Sequence, residues 1–249
     1  MTFLSLIKKF ISLHRNQYHI EMKPEEQLLG DIVTKDFRAA SVLSDAGLDF
    51  CCGGSKTLDT ACREKGISTE KILEKLAELE NQPEIPGRNF NEWQPDFLSD
   101  YIVNVHHSYI RKTLPDLLFY TDKIMNVHGD RHPELKEVAD LFGRLGKELL
   151  SHLDREEKVL FPAIREAVKT KSPDALQTIA GELPGMNSEH EFVGGAMDKI
   201  NEITGGYKVP EEGCNTYAVT FKLLKEFEED IHIHVHLENN ILFPKSRNL

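Results

Sequence analysis

Apolar residues return every three to four positions in four long stretches of the chain, at about 96–127, 133–169, 185–203 and 215–240. This is the stripe of an amphipathic α-helix, and no comparable run alternates apolar and polar residues as a half-buried strand would. Pro133 stands at a first-turn position, where a missing N–H costs little, and Gly205-Gly206 closes the third stretch. Pro115 falls inside the first stretch and is expected to kink it. Four helices with short or medium connections predict an all-α four-helix bundle.

A smaller helical unit precedes it. Lys35 to Ala46 carries Phe37, Ala40 and Leu43 at helical spacing, with Gly47 placed to end the helix. The loop Leu-Asp-Phe-Cys-Cys-Gly-Gly follows, running from Leu48 to Gly54. Ser55 is expected to cap a helix ending near Gly66. Ser68 is expected to cap a third, whose stripe is Ile72, Leu73, Leu76 and Leu79. Residues 81–95 hold three prolines, one glycine and three asparagines, a linker composition. The expected organisation is an extension (1–22), a small helical Cys-Cys unit (23–80), a linker (81–95) and the bundle (96–249).

Charge narrows the function. Thirty Lys and Arg face 41 Asp and Glu, a net charge of -11, which argues against a nucleic-acid binder. No segment approaches the roughly 20 apolar residues of a membrane span. The first 22 residues are interrupted by Lys8 and Lys9 and read as a short amphipathic extension, not a secretion signal. The chain is therefore expected in the cytoplasm, with no membrane partner. Cys51 and Cys52 are adjacent, too close at about 3.8 Å between Cα atoms to bridge each other in ordinary geometry. They read as a reactive or ligating pair, or as two buried thiols.

The histidines carry the chemistry. Of eleven, nine lie in the bundle unit. One segment runs His152-Leu-Asp-Arg-Glu156-Glu-Lys-Val-Leu160-Phe161-Pro162; another runs His234-Val-His-Leu-Glu238-Asn-Asn-Ile-Leu242-Phe243-Pro244. Both are H-x-x-x-E-x-x-x-L-F-P, 82 residues apart. Positions i and i+4 share a helical face, so each segment offers an imidazole and a carboxylate to one point. The partner helices supply His107, 45 residues before His152, and His190, 44 before His234. His107 shares its face with Val103, Ile110 and Leu114 and is preferred over His106, although phase alone leaves the pair open.

A lone inward histidine is usually a hydrogen-bonded core residue, and an i,i+4 His–Glu pair is usually a surface ion pair. The duplicated flanks tip the balance toward a ligand set: His107, His152, Glu156, His190, His234 and Glu238. Imidazoles with carboxylates suit iron, manganese or zinc better than magnesium or calcium. Six donors exceed the four of a single zinc and fit two metal ions, with the glutamates able to bridge. His232 and His236 are expected at the surface or behind the ligands, and Glu157 and Glu191 in solvent. Gly194, one turn after His190, reads as close helix packing in preference to a ligand channel.

With Asp49-Phe50-Cys51-Cys52-Gly53-Gly54, the Ser-Glu-His of the third helix and the Leu-Glu-Asn-Asn-Ile-Leu-Phe-Pro ending, residues 28–246 resemble the di-iron repair of iron centres family, a hemerythrin-like bundle behind a short N-terminal domain. The resemblance implies two non-haem iron ions, oxo- or hydroxo-bridged, on the same four histidines and two bridging glutamates, and favours His107 over His106. It places Glu189 at an acidic position near the family's metal channel. It makes Cys51 and Cys52 candidate functional thiols. The implied function is repair of iron–sulfur clusters damaged by nitric oxide or oxidants, with damaged iron–sulfur proteins, nitric oxide or oxygen as partners. Alternatives are an oxygen or nitric oxide carrier or sensor, and a nitric oxide reductase-type enzyme. The oligomeric state, monomer or homodimer, stays open, and the extension departs from the family.

Overall fold

A computed structural model describes residues 23–81, 83 and 89–249. The extension 1–22 and much of the linker lie outside the described residues. The first unit consists of α1 (Leu29–Lys35), α2 (Ala39–Asp45), α3 (Leu58–Lys65) and α4 (Thr69–Glu80). The helix expected over Lys35–Ala46 is two helices, because Asp36 is extended and its carboxylate takes the Arg38 N–H and guanidinium at 2.6–3.1 Å. Such local side-chain bonding competes with helix continuation. Thr57, not Ser55, caps α3, accepting the Thr60 N–H, while Ser68 caps α4 as expected. Gly47 and Gly66 end their helices at φ 65° and 68°.

The bundle has four long arms, three of them interrupted by π-helix. The first is α5 (Pro95–Ile102), a π-segment Val103–His107, and α6 (Ser108–His128). The second is α7 (Glu134–Arg155), a π-segment Glu156–Leu160, and α8 (Phe161–Thr170). The third is α9 (Pro173–Ile203), and the fourth is α10 (Asn215–His236), a π-segment Leu237–Leu242, and α11 (Phe243–Arg247). Pro115 sits inside the continuous α6; the irregularity of that arm lies upstream, in Val103–His107. The third arm begins twelve residues earlier than the expected 185, since Ser172 caps it, Pro173 opens it and Pro184 is carried inside. The fourth arm continues past 240 to Arg247.

One hydrophobic core runs from the first unit (Leu43, Phe50, Leu58) into the bundle (Ile110, Phe142, Phe227). A second, at the π-segment end, gathers Phe90, Leu98, Phe161, Ile179, Leu242 and Phe243. Phe90, in the segment expected as linker, is buried and packs edge-on against Phe37 and Trp93. No described helix is long and apolar enough to cross a membrane.

Candidate metal centre

The π-segments lie where the histidine–glutamate pattern lies. In the second and fourth arms a proline follows directly, Pro162 and Pro244, at the start of α8 and α11. Proline has no N–H for the carbonyl four residues back, so the regular ladder breaks there and a wider turn takes its place. The π-segment turns the carboxylates of Glu156 and Glu238 inward while keeping His152 and His234 on the same face.

All six expected residues converge, each at most 2% exposed. Within the repeats, His152 Nε2 lies 3.3 Å from Glu156 Oε2, and His234 Nε2 lies 3.0 Å from Glu238 Oε1. Across the bundle, His107 Nε2 is 3.4 Å from Glu156 Oε2 and His190 Nε2 is 3.1 Å from Glu238 Oε2. Donor atoms of His107, Glu156, His234 and Glu238 lie within 4.8 Å of one another, and so do those of His152, Glu156, His190 and Glu238. Both glutamates belong to both groups.

The surroundings repeat with the same pseudo-twofold logic. The residue after each repeat glutamate accepts the Nδ1–H of a neighbouring histidine: Glu157 from His107 and Asn239 from His190, both at 2.9 Å. The repeat phenylalanines stack on those same rings, Phe161 on His107 and Phe243 on His190, with centroids 5.7 and 5.8 Å apart. Glu157 was expected in solvent; it is half-buried, tied to His107 and to Arg111. The position after the repeat glutamate was the available signal for Glu157 and Asn239. Glu191 is exposed, as expected.

The symmetry breaks at one place. His152 Nδ1 donates to Glu189 at 2.7 Å, and Arg155 holds Glu189 at 2.5 Å. The equivalent residue in the other half is His106, whose Nδ1 pairs with Asp230 while its ring stacks on His234. His234 Nδ1 is left without a hydrogen-bond partner.

The residues fit a metal by their own chemistry. Nδ1 of His152 and of His190 each donates to an oxygen, so in neutral rings both Nε2 atoms carry lone pairs. They face each other at 3.0 Å, a separation that needs a proton or a cation between them. Both oxygens of Glu156 and Oε2 of Glu238 are buried with no hydrogen-bond partner. Two buried carboxylates demand positive charge. In the protein alone His152 answers that demand: burial opposes its charge, but Glu156 above all, with Glu189 and Glu238, lifts it to about 10. Burial would raise Glu238, yet His234 and His190 hold it well below the usual carboxylate range.

The cysteine loop lies against this centre without entering it. Asp49 closes the loop by accepting the N–H groups of Cys51, Cys52 and Gly53 at 2.7–3.0 Å. The two sulfurs are 4.0 Å apart and both thiols are free. Cys51 is buried, and its thiol is pushed well up, first by Cys52 and by burial. Cys52 is half-buried and its sulfur lies 3.5 Å from the His190 carbonyl oxygen. Gly194 makes room for that sulfur: a Cβ there would stand 3.3 Å from it. The close approach at Gly194 is therefore to the loop and not to another bundle helix.

Gly53 and Gly54 do not adopt positive φ. Gly54 instead admits Asn240, which is wedged against Gly30 and Gly54 and donates to the Phe50 and Cys51 carbonyls at 3.2 Å. Of the two places expected for His236, the surface is the one it does not take. It is fully buried beneath Phe50, accepts from Asn240, and burial lowers it to about 4. His232 is half-buried on the same side.

Two family models match the chain. Residues 25–80 match the domain of unknown function DUF542 (ScdA_N), and residues 99–246 match the hemerythrin HHE cation binding domain. The iron-sulfur cluster repair protein ScdA of Staphylococcus epidermidis is 30% identical over 225 residues, 90% of this chain and 99% of that protein. The iron-sulfur cluster repair protein YtfE of Pectobacterium carotovorum is 31% identical over 228 residues, 90% and 98% of the two chains. YtfE of Yersinia pseudotuberculosis is 30% identical over the same shares. Matched along both units by relatives of nearly the same extent, the chain belongs to the hemerythrin-like repair of iron centres family, in which a DUF542 domain precedes an HHE cation-binding bundle.

Proposed function

We propose that this chain repairs iron–sulfur clusters damaged by nitrosative or oxidative stress, using two iron ions held by His107, His152, Glu156, His190, His234 and Glu238. The observation that carries the two-metal reading is the sharing of both glutamates between two four-residue groups. One group of four would serve one ion; two groups with common carboxylates serve a bridged pair. The repair reading rests on the family and on the names of its curated members.

Bound there, iron supplies redox-active centres with coordination positions open to a small molecule such as nitric oxide or oxygen. The protein's part is to hold and orient. Glu157, Glu189 and Asn239 set the tautomers of three of the histidines, a support that in metal sites is worth tenfold or more in affinity. Phe161 and Phe243 keep water from two of the rings. Damaged iron–sulfur proteins are the proposed clients. Cys52 is the better placed of the two candidate thiols to meet a client or a nitrosyl group, being half-buried while Cys51 is enclosed. Four free cysteines suit a reducing compartment, and we place the activity in the cytoplasm.

Metal analysis of the purified full-length protein tests the reading. Two irons per chain, with charge-transfer bands of a bridged pair, are expected. One zinc per chain would overturn it. Restoration of a nitric-oxide-damaged cluster enzyme by the iron-loaded protein tests the repair assignment separately.

A further inference from the structure

A third group of metal-binding side chains lies outside the six-residue centre. Asp198 projects from α9, and Glu228 and His232, four residues apart on one face of α10, meet it. One donor atom from each lies within 4.8 Å of the others. Metal–oxygen and metal–nitrogen bonds near 2.1 Å place donors up to about 4.2 Å apart, so a small side-chain adjustment closes the set. Among the described residues neither Asp198 nor the His232 ring makes a hydrogen bond, and Glu228 is held by Asn201 Nδ2 at 2.9 and 3.2 Å.

A second observation points to the same place. Tyr207 is 7% exposed, and its buried hydroxyl has no hydrogen-bond partner. Burial and then the Glu228 charge, with a smaller part from Asp198, push the phenol well up, which sets the hydroxyl in the neighbourhood of this group. An unpartnered buried hydroxyl is costly, and a ligand that takes its oxygen would relieve it.

We propose that Asp198, Glu228 and His232 form a separate site for one exchangeable divalent transition-metal ion, with the Tyr207 hydroxyl and Asn201 beside it. Two carboxylates and one imidazole suit ferrous iron, manganese or zinc above calcium or magnesium. Burial raises both carboxyls, a direction that a bound cation reverses. Asp198 is exposed, so this site opens to solvent where the six-residue centre does not. It sits on the side of the bundle that the cysteine loop covers: His232 lies edge-on to Phe50 at 6.3 Å, and the Asp49 charge acts on Asp198. The site stands independently of the reading of the buried centre.

The probe is Mn2+, titrated into the full-length, iron-loaded protein while the free aqua ion is counted by electron paramagnetic resonance. One labile Mn2+ per chain is expected, removable by a brief chelation that leaves the resident iron in place. Asp198→Asn, at an exposed position that should not disturb folding, is expected to weaken this binding at least about tenfold. Tyr207→Phe, which keeps the buried ring, should weaken it less. Neither should change the iron content, measured before the titration, which reports on the buried centre separately. Absence of Mn2+ binding in the unsubstituted protein would overturn the proposal, and so would equal binding by Asp198→Asn.

Discussion

Glu156 and Glu238 each touch one histidine of both four-residue groups. In the proposed two-iron centre, replacing Glu156 by Ala would remove a negative charge shared by both ions, and loss of at least one iron per chain is expected by metal analysis; full occupancy would contradict the bridging role. His236→Ala has a different expected outcome. Its ring supports Asn240 and Phe50 and is directed at no metal group, so the iron content should hold while stability falls by roughly 1–3 kcal/mol in denaturant titration. Cys214 offers a check of local electrostatics. It is exposed at the start of α10, and the His128 Nε2 at 3.2 Å, with backbone N–H groups of the helix start, lowers its thiol to about 7. Its alkylation rate should therefore reach half-maximum near pH 7, well below an ordinary thiol at about 8.5. His128→Ala should move that midpoint up, and an unchanged midpoint would refute the pairing.

At the scale of elements, caps and interruptions decide where helices begin and how their faces turn. Thr57 accepts the Thr60 N–H at 3.2 Å, whereas Ser55 lies outside the helix. Thr57→Ala is expected to cost about 1 kcal/mol and Ser55→Ala close to nothing, by thermal or denaturant unfolding. Half of the centre, His107, Glu156 and Glu238, is carried by the three π-segments. Two of them precede the Phe-Pro of the repeat, so the sequence string Leu-Phe-Pro has a structural meaning: its proline opens the helical ladder and its phenylalanine stacks on the histidine of the neighbouring arm.

At the scale of the whole molecule, Asn240 adds a polar link to the core that the two units share. It leaves the π-segment that carries Glu238 and enters the cysteine loop, so the metal-side backbone and the thiol-bearing loop share one side chain. Asn240→Ala strips two loop carbonyls of their donor and should cost roughly 1–3 kcal/mol; limited proteolysis of the first unit should speed up while the iron content persists. Replacing both Cys51 and Cys52 by Ser should likewise leave the iron in place, because all six residues of the centre come from the bundle. Repair activity should fall, and unchanged repair by the folded double variant would make the loop purely structural.

The duplicated H-x-x-x-E-x-x-x-L-F-P string, read with the 44-residue spacing to His190, identified five of the six residues that converge, and helical periodicity gave the all-α bundle; the choice of His107 over His106 needed the family resemblance. Helical periodicity is a local property, and i,i+4 geometry follows from it without knowledge of the fold. Orientation across the bundle is not local. Glu157 looked solvated because nothing within its own helix faces it; His107, on another arm, gives it a partner. His236 looked peripheral for the same reason, until the first unit covers it with Phe50. The break between α1 and α2 at Asp36, the start of α9 at Ser172-Pro173 and the burial of Phe90 depend on side-chain competition and packing that a periodic stripe does not encode. Residue type and spacing determined which groups can bind metal; only the tertiary structure decided which neighbours orient them, because those neighbours approach from helices distant in the chain.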